Sequence, residues 1–274
     1  MPELPEVESI KRSLQGLVGK TIARFYFSRV APVETTSPKQ IEKTLHNKKI
    51  SRLERRGKYL LLHTDPAASL VLHLGMTGKL LLLETPTPRE KHTHMELLFS
   101  DGTLLRFIDP RRFGTISLAC QSDGKDNPFL KKLGLEYNDS TQTRDDYIRQ
   151  FRSHPKLSLK TALLHQGIIA GVGNIYACEA LYRAKLDPRR LVQKTTDEAL
   201  RKLLQALRQT LDMGIACQGT TLRDYQDGRG TKGSMQNFLQ VYGREGKTAL
   251  QSHHKVIRII QNNRSTWFAP AVQK

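Results

Sequence analysis

Hydrophobic residues near the start of the chain recur at helical spacing, at Val7, Ile10, Leu14 and Leu17. This spacing predicts an amphipathic helix from the first turn after Pro5 through about Gly16. Proline suits the first turn of a helix, and the glutamates beside it favour the positive end of the helix dipole. The chain is therefore expected to begin with an ordered element.

The pattern then changes to hydrophobic runs separated by turn signals such as DPAAS and SDGT. Runs of this length and composition predict strands. Successive strands with no helix between them predict an antiparallel sandwich or barrel. The predicted strands lie in TIARFYF, KISRLERRGKYLLLHT, SLVLHLGMTGKLLLL, HMELLFS and TLLRFIDP.

A polar, glycine-bearing stretch, QSDGKDN at residues 121–127, is interpreted as a linker. Beyond it the hydrophobic spacing is helical up to about residue 225. A glycine-rich loop then leads into a final segment whose pattern is typical of a β-hairpin. We therefore predict an α+β multidomain protein with three parts, at residues 1–127, 128–225 and 226–274.

The composition indicates a soluble globular protein. A chain of 274 residues is long enough for a well-buried core, and its mean hydropathy is −0.48. No hydrophobic run approaches the ~20 residues of a membrane helix, and no secretory signal opens the chain. Three cysteines without metal-ligand spacing suit a reducing compartment. We expect a cytoplasmic monomer with no membrane partner.

Charge narrows the choice of partner. Lysine and arginine total 44 against 26 acidic residues, which gives a net charge of +18 and a pI near 10.0. Such an excess attracts polyanions, and affinity for duplex DNA then falls as the salt concentration rises. Charge alone leaves open whether the partner is DNA or a structural RNA.

The second residue is a candidate nucleophile. Removal of Met1 would give Pro2 a free secondary amine, and the ordinary pKa of an α-amino group, ~8, leaves much of it unprotonated at neutral pH. Amines form Schiff bases with electrophilic carbon, and the adjacent Glu3 could move protons in that reaction. From composition alone a plain helix start is the better interpretation, because N-terminal nucleophiles are rare.

Three motifs place functional residue types at turns of the strand region. RRGKYLLL puts Lys58 at the mouth of the sandwich, where a solvated strand-end lysine is the plain alternative. HLGMTG sets His73 and Met76 beside a glycine turn, although methionine there is usually core filler. DPRRFG puts Arg111 and Phe113 on a turn. Proteins that bend DNA wedge such groups between bases, but a sandwich corner could also hold them.

The motif AGVGNIYACEAL carries two glycines just before an amphipathic helix. Backbone N–H groups at such a helix start, with Asn174 as the cap, can hold a phosphate. Lys156 and Lys160 on the preceding segment would reinforce that site. Many ordinary helix starts share this pattern, so it adds only modest support for a nucleic-acid partner.

Taken together, these motifs resemble the formamidopyrimidine-DNA glycosylase family, whose members are bifunctional glycosylase/lyases that remove oxidised purines. The similarity spans nearly the whole chain in consistent order. It rests on PELPEVE, RRGKYLLL, HLGMTG, DPRRFG, GVGNIYACEAL, GTTLRDY, VYGREG and RSTWF. The first motif is the most specific, because the related endonuclease VIII branch usually begins with a Pro-Glu-Gly-Pro form.

The resemblance implies a fold and a set of roles. It implies an N-terminal helix on an antiparallel β-sandwich, a helix-two-turn-helix domain and a C-terminal hairpin. Pro2 would attack C1′ of the damaged nucleotide, Glu3 would assist proton transfer and Lys58 would contact the nearby phosphate. The loop from about Thr220 to Ser234 would close over the everted base. Met76, Arg111 and Phe113 would fill the gap it leaves, and the DNA backbone would be held by His73, Lys156, Asn174, Tyr242 and Arg264.

The chain departs from the family pattern at the hairpin. The family usually has two Cys-x-x-Cys pairs there, and the corresponding residues in this chain are Ala249, Ser252, Ala269 and Val272. The adjacent His253 and His254 are a poor tetrahedral set. We therefore expect a zincless finger without any cofactor, held by packing among Val256, Ile257, Ile259, Ile260, Trp267 and Phe268.

Two smaller departures concern the helical region and the recognition loop. His165 stands where the family typically has aspartate, and Gln218 replaces the first glycine of a usual pair.

Three hypotheses follow from the sequence. The first is a glycosylase/lyase that acts on oxidised purines in damaged double-stranded DNA. The others are an endonuclease VIII-like enzyme that prefers oxidised pyrimidines and a non-catalytic lesion-binding or DNA-binding protein.

Overall fold

The computed structural model describes residues 2–65, 67–85, 87–120, 126–222, 225–250 and 252–274. Most of the predicted linker, at residues 121–125, lies outside the described residues. The chain forms two compact units, the first from Met1–Lys132 with Cys217–Ser234 and the second from Leu133–Ala216 with Met235–Lys274. These units interleave along the chain, whereas the sequence predicts three consecutive parts. That three-part division stays a prediction.

The first unit begins with the predicted N-terminal helix, α1 (Leu4–Ser13). A single turn of 3-10 helix, Gln15–Leu17, follows it. The hydrophobic positions that predict the helix are all buried: Val7, Ile10, Leu14 and Leu17. Their stripe joins the core of the first unit, so α1 and the residues just before it are fixed by packing.

Two four-stranded sheets form the body of the first unit, with every strand pair antiparallel. One sheet has the order β1-β6-β7-β5 and the other β2-β3-β4-β8. Leucines and phenylalanines from both sheets share one hydrophobic core. The predicted antiparallel sandwich is confirmed. Its strands are β1 (Ile22–Phe27), β2 (Lys49–Arg56), β3 (Tyr59–Asp65), β4 (Ala68–His73), β5 (Lys79–Leu83), β6 (Thr93–Phe99), β7 (Leu104–Ile108) and β8 (Thr115–Ala119).

Two elements of the first unit were not among the predicted ones. Helix α2 (Pro38–Leu45) lies between β1 and β2, and the Ser37 side chain accepts the N–H of Gln40 at its start. Serine followed by proline is a standard helix-start signal, and it stands in a segment too short to show a clear period. Strand β8 follows the DPRRFG turn and pairs with β4, so it forms one edge of the second sheet.

The second unit contains the four predicted helices and a short hairpin. In the described ranges no helix is both long and apolar enough to cross a bilayer. The asparagines of the hairpin turn, Asn262 and Asn263, have positive φ angles of 48° and 57°. The elements are α3 (Arg144–Arg152), α4 (Leu159–Leu164), α5 (Asn174–Arg183), α6 (Asp197–Ala216), β9 (Ile257–Gln261) and β10 (Arg264–Phe268).

The hairpin is not packed in the way that the sequence predicts. Ile257 and Ile260 are 37% and 61% exposed, so the expectation that both join an apolar core is wrong. These two residues are three positions apart and therefore lie on opposite faces of β9, so neither face of this strand is fully covered. Val256 and Phe268 are buried as expected. Val256 clusters with Cys178, Val241 and Ala249, against which Tyr182, Tyr242 and Trp267 pack.

Candidate functional site

Pro2 and Glu3 are buried at the start of α1. The backbone N–H of Glu3 donates to Oε2 of Glu6 at 2.8 Å. A chain terminus is usually frayed, so this burial is unusual for such a position. The two residues that the sequence selects for chemistry therefore lie in a fixed environment. Met1 lies outside the described residues.

Glu6 connects the start of α1 to a segment far away in the chain. Its second carboxylate oxygen, Oε1, accepts the backbone N–H of Thr220 at 2.6 Å. The hydroxyl of Tyr225 donates to the Glu6 carbonyl oxygen at 3.2 Å. The sequence indicates only a dipole role for Glu6, since helical periodicity carries no information about a contact with Thr220. Glu6 is thus a candidate site residue that sequence reasoning missed.

The described part of the segment 217–234 is closely packed on itself and on α1. At Gly219, where φ is +85°, a Cβ atom would lie 2.8 Å from Cγ of Glu6. The N–H of Ser234 donates to the Cys217 carbonyl at 2.8 Å and closes the segment at its ends. Burial, and then the charge of Glu6, raise the pKa of Tyr225, so its phenol remains a proton donor. Residues 223 and 224 lie outside the described residues.

Lys58 and His73 lie at neighbouring strand ends of the second sheet. Lys58 is only 6% exposed, so the solvated-lysine interpretation is wrong. His73 pairs in register with Tyr59. Burial, and then the Lys58 charge, lower the His73 pKa to about 4, while Asp109 opposes the shift. The ring is therefore neutral at physiological pH.

The tautomer of neutral His73 follows from one hydrogen bond. The backbone N–H of Gly75 donates to Nδ1 of His73 at 3.2 Å. Nδ1 therefore acts as the acceptor, which leaves the ring proton on Nε2. This half-buried ring can donate one hydrogen bond to an anionic group without carrying a charge itself.

Met76, Arg111 and Phe113 lie on two turns of the first unit, and all three are exposed. Met76 is 44% and Phe113 52% exposed, which excludes the core-filler interpretation of Met76. The guanidinium carbon of Arg111 lies 4.5 Å from the centre of the Phe113 ring. The two turns are in contact: a Cβ atom added to Gly75 would lie only 2.3 Å from the Phe113 carbonyl carbon.

The second unit contains the other predicted DNA contacts. Asn174 is the first residue of α5, and Gly173 rather than Asn174 occupies the N-cap position. The Asn174 side-chain amide donates to the Ser265 carbonyl at 2.9 Å. Tyr242 packs on Trp267 with ring centres 4.3 Å apart. Arg264 is exposed at the start of β10, and Lys156 is exposed in the turn before α4.

Lys160 does not serve as the exposed phosphate ligand that the sequence suggests. It is 1% exposed, and its ammonium group donates to the Ser265 carbonyl at 2.8 Å and to Oγ1 of Thr266 at 2.6 Å. Lys160 and Asn174 therefore converge on one carbonyl oxygen of β10. Arg264 directly precedes Ser265, so these bonds hold the backbone next to the exposed Arg264 side chain in position.

The hairpin residues do not fit a zinc ion. The positions that correspond to the family's cysteines include Ala249 and Ala269, both buried and both without a donor atom. Among the described residues no group of three or more His, Cys, Asp or Glu side chains could hold a metal. The Gln273 side chain instead accepts the Ala269 N–H at 2.8 Å and donates to the Leu186 carbonyl at 2.9 Å.

The two smaller departures lie at defined places. His165 is the C-cap residue directly after α4, is exposed, and has its ring centre 4.8 Å from that of His154. Gln218 has a φ of +58°, a left-handed conformation that glycine adopts without strain. This backbone conformation explains why glycine is usual at the position. In this chain Gln218 adopts the same conformation although it has a side chain.

Comparison with known proteins finds family models that match most of residues 1–226. The family model of the formamidopyrimidine-DNA glycosylase N-terminal domain matches residues 1–116. The model of the formamidopyrimidine-DNA glycosylase H2TH domain matches residues 133–226. A formamidopyrimidine-DNA glycosylase of Heliobacterium modesticaldum is 41% identical, and one of Desulfitobacterium hafniense is 39% identical. Each match covers 100% of both chains.

Solved structures agree with these matches. A variant of the Lactococcus lactis protein, in complex with Fapy-dG containing DNA, is 34% identical and superposes with a TM-score of 0.90 over 100% of both chains. A Thermus thermophilus protein is 37% identical, with a TM-score of 0.87 over 99% of this chain and 98% of that one. Another Lactococcus lactis structure contains abasic-site DNA.

The fold and the two matched regions define an α+β enzyme of the DNA glycosylase class, which acts in base excision repair. The chain belongs to the formamidopyrimidine-DNA glycosylase family. The family and fold class predicted from the sequence are confirmed.

The low pKa of His73 predicts a pH dependence of stability. Its pKa is 6.5 in an unfolded chain and about 4 in the folded one, so the unfolded state binds more protons between these values. The free energy of unfolding should therefore fall as the pH drops from 6.5 to 4, with a His73 contribution of up to about 3 kcal/mol. Urea unfolding at several pH values would measure the fall.

His73→Gln should show a smaller fall across this window, because glutamine does not titrate. His46→Gln changes an exposed histidine of the first unit and serves as the matched control. It should keep the wild-type pH dependence. Identical curves for wild type and His73→Gln would contradict the assignment.

Proposed function

We propose that this enzyme is a bifunctional DNA glycosylase/AP lyase that excises 8-oxoguanine and formamidopyrimidines from damaged duplex DNA. We further propose that it works as a monomer in the cytoplasm. The main support is the burial of Pro2 and Glu3 beside Glu6, in a chain that superposes over its full length on a relative complexed with Fapy-dG containing DNA. The first of the three sequence hypotheses is therefore preferred.

The chemistry centres on the secondary amine of Pro2 after removal of Met1. Its nitrogen donates an electron pair to C1′ of the damaged nucleotide, and the C1′–N bond to the base breaks. Ring opening of the sugar gives an iminium ion, which acidifies the C2′ proton. Loss of that proton expels the 3′ phosphate, and a second elimination expels the 5′ phosphate. Glu3 moves protons between these steps.

Contacts with the DNA backbone come from both units. We assign Lys58 and neutral His73 to phosphates near the lesion, since a buried cation and an Nε2–H donor are complementary to an anion. In the second unit, we assign the same role to Lys156, Asn174, Tyr242 and Arg264. The net charge of +18 supports a polyanionic partner.

The exposed Met76, Arg111 and Phe113 are assigned to the gap that the damaged base leaves in the duplex. Extrusion of a base costs a few kcal/mol in lost stacking and pairing. Apolar side chains that enter the stack compensate part of that cost and stabilise the bent duplex. The segment from Thr220 to Ser234 is assigned to cover the everted base.

Borohydride trapping tests the nucleophile. The enzyme should become covalently linked to duplex DNA that contains an abasic site. Pro2→Gly should reduce the trapped fraction on the order of 100-fold. The substitution replaces a secondary amine in a rigid ring with a primary amine on a flexible residue, so the reacting nitrogen is less well positioned. Pro38→Gly, which changes a proline at the start of α2 in the same unit, should trap like the wild type.

Intact mass of the same preparations checks that Met1 is absent. Full activity with Met1 attached or with a blocked amine would refute the mechanism. The absence of any trapping by wild type would favour the non-catalytic hypothesis. Faster excision of thymine glycol than of 8-oxoguanine would favour the endonuclease VIII-like hypothesis.

The position of Glu6 generates a second test. Glu6→Gln keeps the shape of the side chain but directs an amide NH₂ at one of two backbone N–H donors, from Glu3 and Thr220. We expect excision to slow by about 10-fold or more, since small displacements of reacting groups are costly. Single-turnover excision of 8-oxoguanine measures this.

Glu8→Gln is the matched control, because Glu8 lies on the same helix but forms ion pairs with Lys11, Arg12 and Arg55. It should excise within a few-fold of the wild type. Equal rates for Glu6→Gln and the wild type would remove Glu6 from the site.

We propose that the hairpin binds no metal. The buried Ala249 and Ala269 and the Gln273 bonds support this proposal. Zinc in purified protein should be substoichiometric, and chelator treatment should leave trapping unchanged. A family member with the four cysteines serves as the positive control for the chelator. Stoichiometric zinc would refute the proposal.

A further inference from the structure

Asp109 is fully buried at the end of β7, directly before the turn that carries Arg111 and Phe113. Its Oδ1 atom accepts the hydroxyl of Thr77 at 2.6 Å and the backbone N–H of Arg111 at 3.3 Å. Its Oδ2 atom accepts the N–H of Gly114 at 2.8 Å. The Asp109 carboxylate therefore accepts hydrogen bonds from both ends of its own turn, at Arg111 and Gly114, and from the Thr77 side chain of the turn that carries Met76.

The two turns are packed backbone to backbone. Gly75 has a φ of +58°, and a Cβ atom there would lie within 2.5 Å of three backbone atoms of Phe113 and Gly114. A Cβ atom on Gly114 would lie 2.7 Å from the His73 carbonyl oxygen. Neither position leaves room for a side chain. The Thr77–Asp109 bond adds a side-chain link to this contact.

The backbone of the second turn is also strained. Arg112 has a φ of +54°, which is unfavourable for a residue with a side chain. Its N–H donates to the Asp109 carbonyl at 3.2 Å, and the Nε2 atom of His94 lies 3.0 Å from the same oxygen. Such a conformation persists where the surrounding contacts over-determine it. Asp109 supplies several of those contacts.

Met76, Arg111 and Phe113 extend from these turns into solvent, so their positions depend on the backbone beneath them. We propose that Asp109 and Thr77 are positioning residues that lock the two turns together, so that these three side chains enter the duplex as one rigid wedge. This inference rests on the proposed function, in which that wedge fills the gap left by the everted base. A rigid wedge loses less conformational entropy on insertion than two independent loops would.

Thr77→Val tests the inference, because it removes the bridging hydroxyl and keeps the shape of the side chain. We expect single-turnover excision of 8-oxoguanine from duplex DNA to fall by about 10-fold, since the wedge inserts less accurately. Fluorescence of 2-aminopurine beside the lesion should rise less on binding than with the wild type. Thr77→Ser restores the hydroxyl and should restore both signals.

Borohydride trapping on a single-stranded abasic oligonucleotide separates positioning from general damage. No base pair has to be opened there, so Thr77→Val should trap at the wild-type rate. Thr103→Val is the matched control, because Thr103 donates to Oδ1 of Asp101 at 2.7 Å in another turn of the same unit. It should leave duplex excision unchanged.

Two outcomes would overturn the inference. In the first, Thr77→Val excises as fast as Thr103→Val. In the second, it loses duplex excision and single-strand trapping to the same extent, which would indicate a general structural role. A wild-type enzyme that neither excises nor traps would instead refute the proposed function, so the two failures are distinguishable.

Discussion

The carboxylate of Glu6 receives the backbone N–H groups of Glu3 and Thr220, one on each oxygen, in a buried environment. The start of α1 and the segment 217–234 therefore share one acceptor, and displacement of either removes a hydrogen bond from a buried charge. Loss of a hydrogen bond to a buried charged group costs more than an ordinary bond contributes. The position of the proposed nucleophile is thus linked to the conformation of the segment assigned to cover the substrate. Linkage of this kind is reciprocal, so a substrate that stabilises the segment also stabilises the N-terminus.

The same arrangement recurs where irregular backbone must be held in place. Asp109 bonds to N–H groups of the DPRRFG turn, and Glu179 accepts the N–H groups of Gln240, Val241 and Tyr242. Burial raises the pKa of Glu179, and these three bonds oppose the shift. A loop has few regular hydrogen bonds of its own, so a buried side-chain acceptor supplies the missing partners. Such acceptors explain how exposed side chains, including those that we assign to DNA contact, lie on turns with a defined geometry.

Much of the fold is accessible from the sequence, because periodicity reports the buried face of each element. The stripe of Val7 and Ile10 predicts α1, and the strand runs predict the sandwich. Contacts between distant residues leave no periodic signal, and Glu6 with Thr220, Asp109 with Thr77 and Lys160 with Ser265 are of that kind. The exposure of Ile257 and Ile260 leaves no signal in the sequence for a related reason, since hydrophobicity does not reveal how much of a two-stranded hairpin its neighbours cover. The motifs select residue types for chemistry, but they do not reveal the carboxylates that hold those residues in position.

The second unit indicates how a hairpin whose described residues offer no set of metal ligands can still hold a cation in a defined position. Zinc fixes a hairpin through four ligands on its own strands, whereas here the Ser265 carbonyl receives Lys160 from α4 and Asn174 from α5. These bonds join β10 directly to the helices that the H2TH family model matches. Arg264, one residue before Ser265, is therefore positioned relative to those helices. Hydrogen bonds from α4 and α5 to a single carbonyl oxygen of β10 thus hold the hairpin in register with both helices.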